Sequence, residues 1–151
     1  ASFGGVDRRF DFQLKNDKVV FLTDYAHHPE EIRQSVKSVC ELYEGRKIMG
    51  IFQPHLYTRT RDFYKEFADS LSLLDDVVLL DIYPAREEPI PGVTSKLIYD
   101  CLEEHVNKQM CRKEDLLEVL RRADADVFIL LGAGDAEACA PQITEVLKTR
   151  C

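Results

Sequence analysis

Four short segments hold most of the side chains in this sequence that could do chemistry. They are Asp24-Tyr25-Ala26-His27-His28-Pro29, Gln53-Pro54-His55-Leu56-Tyr57-Thr58-Arg59-Thr60-Arg61, Asp81-Ile82-Tyr83-Pro84-Ala85-Arg86-Glu87-Glu88 and Gly132-Ala133-Gly134-Asp135. Three of the four histidines fall in the first two segments. A neutral imidazole there can accept a hydrogen bond or a proton near physiological pH. Arg59 and Arg61, next to a predicted helix start, suit the grip of a carboxylate or phosphate. Plainer readings stand beside these. Asp24 could cap the following helix, His27 and His28 could be exposed connector residues, and the arginines could be solvated charges. His27, His28 and His55 lack the His-x-x-x-His or Cys/His spacing of a metal site, so no metal is expected. Gly132-Ala133-Gly134 lacks the third glycine of a dinucleotide fingerprint and reads better as a close-approach turn. No Gly-x-x-x-x-Gly-Lys-Ser/Thr occurs, so the sequence has no phosphate loop,. Neither a nucleophile elbow nor a Ser/His/Asp set stands out.

The elements that must position these segments alternate between strand and helix. Strand candidates are Val19–Thr23, Ile48–Phe52, Val77–Ile82, a weak Lys108–Arg112 and Val127–Leu131. Helical periodicity follows each: Ile32, Val36, Val39, Cys40 and Tyr43; then Phe63, Phe67, Leu71 and Leu74; then Leu97, Ile98, Cys101 and Leu102; then Leu116, Leu117, Val119 and Leu120; and last Ile143, Val146 and Leu147. Gly45 stands where a helix-ending glycine is expected, and Pro141 predicts an irregular first turn in the final helix. Most strand candidates are continuous apolar runs, the pattern of strands covered on both faces in a parallel sheet. The alternating segment Arg8–Leu14 could add an edge strand. The fold expected is α/β: Rossmann-like and doubly wound, with a mostly parallel sheet and helices on both faces. In such sheets ligands bind outside the carboxyl ends of the strands, which is where the four segments lie.

Composition narrows the classes further. With 151 residues, 45% hydrophobic and 31% charged, the chain fits a single folded domain,. No run reaches the ~18 apolar residues of a membrane helix. Twenty basic against twenty-seven acidic residues give a net charge of −7, which disfavours nucleic acid and anionic membranes as partners,. Cys40, Cys101, Cys111, Cys139 and Cys151 are odd in number and contain no Cys-x-x-Cys pair, so reduced thiols are expected,. The chain begins at Ala1, which fits a processed start or a domain cut from something longer.

The loop motifs, taken in order, resemble the C-terminal domain of the Mur ligases, the cytoplasmic bacterial amide ligases of peptidoglycan synthesis. The likeness rests on Asp24-Tyr25-Ala26-His27-His28-Pro29, Phe52-Gln53-Pro54-His55, Arg59-Thr60-Arg61-Asp62, Tyr83-Pro84-Ala85-Arg86-Glu87 and Gly132-Ala133-Gly134-Asp135. It is strongest to the branch that joins L-alanine to UDP-N-acetylmuramate. Residues Gly5 to Asp11 look like the handover from a central ATPase domain, placing residues 1–12 in that segment and 1–151 in one domain. The resemblance implies an ATP- and Mg²⁺-dependent ligase in which a substrate carboxylate is phosphorylated and an amine attacks the acyl phosphate. It implies two further domains that hold UDP-N-acetylmuramate and the phosphate loop, so that this chain alone would bind no cofactor tightly and would be inactive. By position it implies nucleotide contacts at Arg9 and Asp24 and an amino-acid site at Tyr25, His27, Arg59 and Arg61. His27 is a candidate base. Leu56 stands where several relatives carry arginine, which shifts weight onto Arg59; Ala26 replaces a glycine common in the family. Two other readings stay open: a free-standing α/β module for a nucleotide or anionic metabolite, and the related murein tripeptide ligase. The oligomeric state is not legible.

Overall fold

The computed structural model describes residues 10–132 and 135–150. Six strands form one sheet in the order β1-β2-β6-β3-β4-β5. Their ranges are β1 Asp11–Lys15, β2 Val20–Asp24, β3 Ile48–Phe52, β4 Asp76–Leu79, β5 Asn107–Met110 and β6 Val127–Leu131. Five helices join or follow them: α1 Pro29–Leu42, α2 Tyr57–Leu71, α3 Lys96–Cys101, α4 Leu116–Arg122 and α5 Ala140–Arg150. All neighbouring strands are parallel except β1, which pairs antiparallel with β2 at the edge. The alternating opening segment thus supplies the extra edge strand. The fold is the expected mostly parallel α/β arrangement.

Strand pleat divides the core into two layers. Val20, Leu22, Ile48, Phe52, Val77, Leu79, Val127, Ile129 and Leu131 face α1, α2 and α3 through Ile32, Val36, Phe67, Leu71 and Ile98. Phe21, Met49, Ile51, Val78, Leu80, Phe128 and Leu130 face α4 and α5 through Leu116, Leu120, Ile143 and Leu147. Every residue of β2, β3, β4 and β6 is buried, which is why those strands read as unbroken apolar runs,. β5 is polar and mostly exposed because it closes the far edge of the sheet. Its weak signal in the sequence follows from that.

Two helix ends follow their local chemistry. Gly45 takes φ +87° shortly after α1, within the turn that leads to β3. α5 is preceded by a 3-10 turn over Asp135–Cys139, the irregular start that Pro141 predicts.

β6 leaves the sheet at Gly132, whose φ is +124°. A Cβ at this residue would lie 2.6 Å from the Gln53 carbonyl oxygen, a backbone atom that cannot swing aside. Left-handed backbone alone costs an L-residue about 1–2 kcal/mol. Gly132→Ala should therefore lower stability by roughly 2–4 kcal/mol, strain and steric displacement together, as read from urea unfolding midpoints. A midpoint equal to wild type would show that the β3 and β6 exits are not held this closely.

Candidate functional site at the carboxyl ends of the strands

The parallel register brings the four segments together. Asp24 pairs with Leu131, and Leu131 with Phe52, so β2, β6 and β3 end side by side. β4 ends beside β3, and an isolated bridge between His55 and Tyr83 carries that adjacency into the loops.

Asp24 closes β2 as a buried residue, only 3% exposed. One carboxylate oxygen accepts from the Ala26 amide at 2.8 Å, and the other accepts from the Ser35 hydroxyl of α1. Glu31, in the first turn of α1, accepts from the amides of His27 and His28, both at 3.2 Å. The double-histidine loop is therefore gripped by one carboxylate before it and one after it. The His27 ring is oriented as well. Its Nδ1 lies 3.1 Å from the Tyr25 carbonyl, and because a carbonyl only accepts, Nδ1 carries the proton,. In the neutral ring the lone pair then belongs to Nε2. His28 instead turns against Phe63, with ring centroids 5.2 Å apart. Tyr25 is 64% exposed, and the negative charge of Glu137 beside it pushes the phenol above its ordinary value.

His55 lies between His27 and Tyr83, at centroid distances of 6.1 and 5.5 Å. Its pKa lies below the ordinary value, through burial first and then the positive charges of Arg59 and His27. Its Nδ1 is buried without a hydrogen-bond partner among the described residues, and so is Arg59 Nη1. A buried cationic donor left unpaired is costly, and the cost is recovered when an anion arrives. Arg61 goes elsewhere. Two residues apart on a helix point to different faces, and Arg61 is exposed and paired with Asp62 at 2.9 Å. The structure brings Tyr25, His27 and Arg59 to one edge, with His55 between them, and turns Arg61 to solvent. Arg9 lies outside the described residues.

The family model for the Mur ligase glutamate ligase domain matches residues 8–134. The chain belongs to the Mur ligase C-terminal domain family. A relative from Phocaeicola vulgatus named UDP-N-acetylmuramate–L-alanine ligase is 65% identical over 99% of the chain. Another of that name from Parabacteroides distasonis is 57% identical over 97%. The chain spans about a third of the length of these relatives. Among solved structures, the UDP-N-acetylmuramate–alanine ligase of Thermotoga maritima superposes with a TM-score of 0.75 at 28% identity, covering 95% of this chain and 30% of that one. A murein peptide ligase from Psychrobacter arcticus gives 0.74 over 97% of this chain and 31% of its own, at 18% identity, a likeness of fold.

Three ties in this Mur ligase domain carry no local signal in the sequence. Gln53 accepts from the Ala136 amide at 2.9 Å, joining the β3 exit to the turn after β6. Glu137 in that same turn acts on Tyr25 through its charge. Glu87 reaches back to α2, accepting from the amides of Tyr57 at 2.6 Å and Thr58 at 3.1 Å and from the Thr58 hydroxyl. One indirect sign existed for the last. Position 56, before the helix, is a leucine, which has no acceptor to cap it, so a cap has to come from elsewhere,.

The lowered pKa of His55 has a sign that can be tested. The unfolded chain takes up a proton near pH 6.5, whereas the folded chain resists it to a lower pH,. Below that value the unfolded state binds more protons, so this group makes stability fall as pH drops and leaves it flat above. His55→Gln should flatten the part of the stability–pH curve that lies just below 6.5, measured as urea midpoints across that window,. An unchanged slope would place His55 in open solvent.

Proposed function

We propose that this chain is the amino-acid-binding and ATP-closing domain of a UDP-N-acetylmuramate–L-alanine ligase. One observation carries the reading: Arg59 presents a buried guanidinium nitrogen with no partner among the described residues, beside a half-buried neutral histidine, at the edge formed by the family's motif loops. The names of the relatives that match nearly the whole chain support the choice of L-alanine. Alanine offers a carboxylate, an ammonium group and one methyl. Binding energy must come from the charges, and selectivity from exclusion of bulk. Arg59 takes the carboxylate. The amine, once neutral, donates to an imidazole lone pair, and His27, whose Nδ1 is committed to the Tyr25 carbonyl, offers one at Nε2. That is the base position proposed for it. Tyr25 lies on the wall of the same site.

The reaction in this reading joins the alanine nitrogen to an acyl phosphate made from the UDP-N-acetylmuramate carboxylate and ATP, with release of ADP and phosphate. The described residues offer no phosphate loop, so the domain carrying one must supply the cradle and the Mg²⁺ site. This chain contributes closure over the nucleotide, through Arg9 and through the loop that Asp24 holds. With its carboxylate engaged by Ala26 and Ser35, Asp24 acts through the shape of that loop. By itself the chain should produce no ADP. Cytoplasmic residence goes with this reading.

The decisive experiment is steady-state kinetics of Arg59→Ala in the intact three-domain ligase that this reading makes the chain a part of, with alanine and ATP varied separately. Truncating one side of a desolvated charge pair costs ~2–5 kcal/mol. Even the low end predicts a loss of roughly 30-fold in kcat/KM for alanine, with little change in the ATP response. Arg59→Lys should recover part of it, since an ammonium lacks the planar fork. A collapse of ATP affinity with intact alanine kinetics would move Arg59 to the phosphates and overturn the assignment.

A further inference from the structure

α2 starts without a cap of its own. Leu56 precedes it with φ +77° and ψ 137°, a conformation that a leucine rarely adopts, and it has no acceptor side chain. The amides of Tyr57 and Thr58 would be left as orphan donors at the positive end of the helix. Glu87 takes both, together with the Thr58 hydroxyl, from 29 and 30 residues away. These bonds hold its carboxyl below the usual carboxylate range, so it is ionised at neutral pH. Its own loop is fixed to the same place. Tyr83 donates to the Pro54 carbonyl at 2.8 Å, Leu56 donates to the Tyr83 carbonyl at 2.8 Å, and Glu87 donates to the Pro84 carbonyl at 2.9 Å. The turn between them sets Ala85 at φ +54°.

Arg59 follows Thr58 directly. Any change in the first turn of α2 therefore moves the guanidinium that the proposed function assigns to the amino-acid carboxylate. Among the described residues, the α2 side of this edge offers an anion the amino end of α2 and Arg59. Glu87 fills the first, and the second has a buried donor still unpaired.

We propose that Glu87 is a positioning residue of the amino-acid site. By occupying the amino end of α2 it sets where Arg59 stands, and it denies that helix end to the substrate carboxylate. The inference rests on the alanine-ligase reading for its kinetic consequence, whereas the capping contact stands independently of the substrate.

The test uses the intact three-domain ligase of the proposed function with Glu87→Ala and Glu87→Gln. Glu87→Ala should raise KM for alanine by about tenfold while KM for ATP stays within about twofold, because only the helix bearing Arg59 is released. Glu87→Gln keeps one acceptor oxygen and should fall between. Formate separates positioning from general damage. In Glu87→Ala a small carboxylate can refill the vacated helix end and lower the alanine KM, whereas in wild type it can only compete at Arg59 and raise it. Amide hydrogen exchange at Tyr57 and Thr58 should be faster in Glu87→Ala and slowed by formate. An unchanged alanine KM, or equal rises in both KM values with no response to formate, overturns the proposal. If wild type turns over ATP without any response to alanine, the substrate reading fails. The exchange measurement then decides Glu87 alone, and protected Tyr57 and Thr58 amides in Glu87→Ala would sink it.

Discussion

The rest of the structure depends on the pairing of β6 between β2 and β3. These three strands come from opposite ends of the chain, yet their registers end level at Asp24, Leu131 and Phe52. Parallel strands cannot be joined by tight turns, so each returns through a helix and every loop of one kind leaves from the same edge. Slip β6 by one residue and its two core faces would exchange, because side-chain period in a strand is two. In the observed register Phe128 and Leu130 lie in one layer and Val127, Ile129 and Leu131 in the other. A slip would put each side chain against packing partners of a different size and shape. Strand register therefore fixes which loops meet before any loop residue has a role.

What the loops do next is settled by unsatisfied backbone. Strand exits and helix starts leave amides without partners, and at this edge three carboxylates take them up. Asp24 serves Ala26, Glu31 serves His27 and His28, and Glu87 serves Tyr57 and Thr58. Acidic side chains bound inward cannot meet a ligand with their full charge. The cation and the imidazole left over, Arg59 and His55, each retain a buried nitrogen without a partner among the described residues. A chain of net charge −7 thus presents a local edge suited to an anion. Global charge sets which macromolecules are repelled, and local hydrogen bonding sets what a site accepts.

Where the sequence was legible, the cause was burial. β3 and β6 are continuous apolar runs whose limits match the structure, since each is covered on both faces and bounded by polar or glycine residues. β4 is shorter than its apolar run: Leu80 stays in the core, but the ladder stops at Leu79 and the chain turns toward the Tyr83 bridge. β5 was barely visible because an edge strand of Asn107, Lys108, Gln109 and Met110 needs only one neighbour and little apolar surface. The site was legible as a set of loops through the motif resemblance. Its internal wiring was not. Gln53 to Ala136 spans 83 residues and Glu87 to Tyr57 spans 30, and no periodicity connects such pairs. Arg59 and Arg61 read as a fork in the sequence, but helical geometry separates them.

Leu56 shows how tightly that wiring is drawn. A leucine at φ +77° is strained, and such a residue persists only where its surroundings over-determine it,. Its amide donates to the Tyr83 carbonyl, and its own carbonyl accepts from the Thr60 amide at 3.2 Å and the Thr60 hydroxyl at 2.9 Å. Both backbone groups are thus committed, one to the β4 loop and one to the first turn of α2. A relaxed leucine would have to give up one of them. The sharp turn sends the chain from the His55 bridge straight into the helix, so His55 and Arg59 stand within electrostatic reach of each other. Strain at one residue is then the physical condition for bringing a neutral imidazole and an unpaired guanidinium together at the same edge.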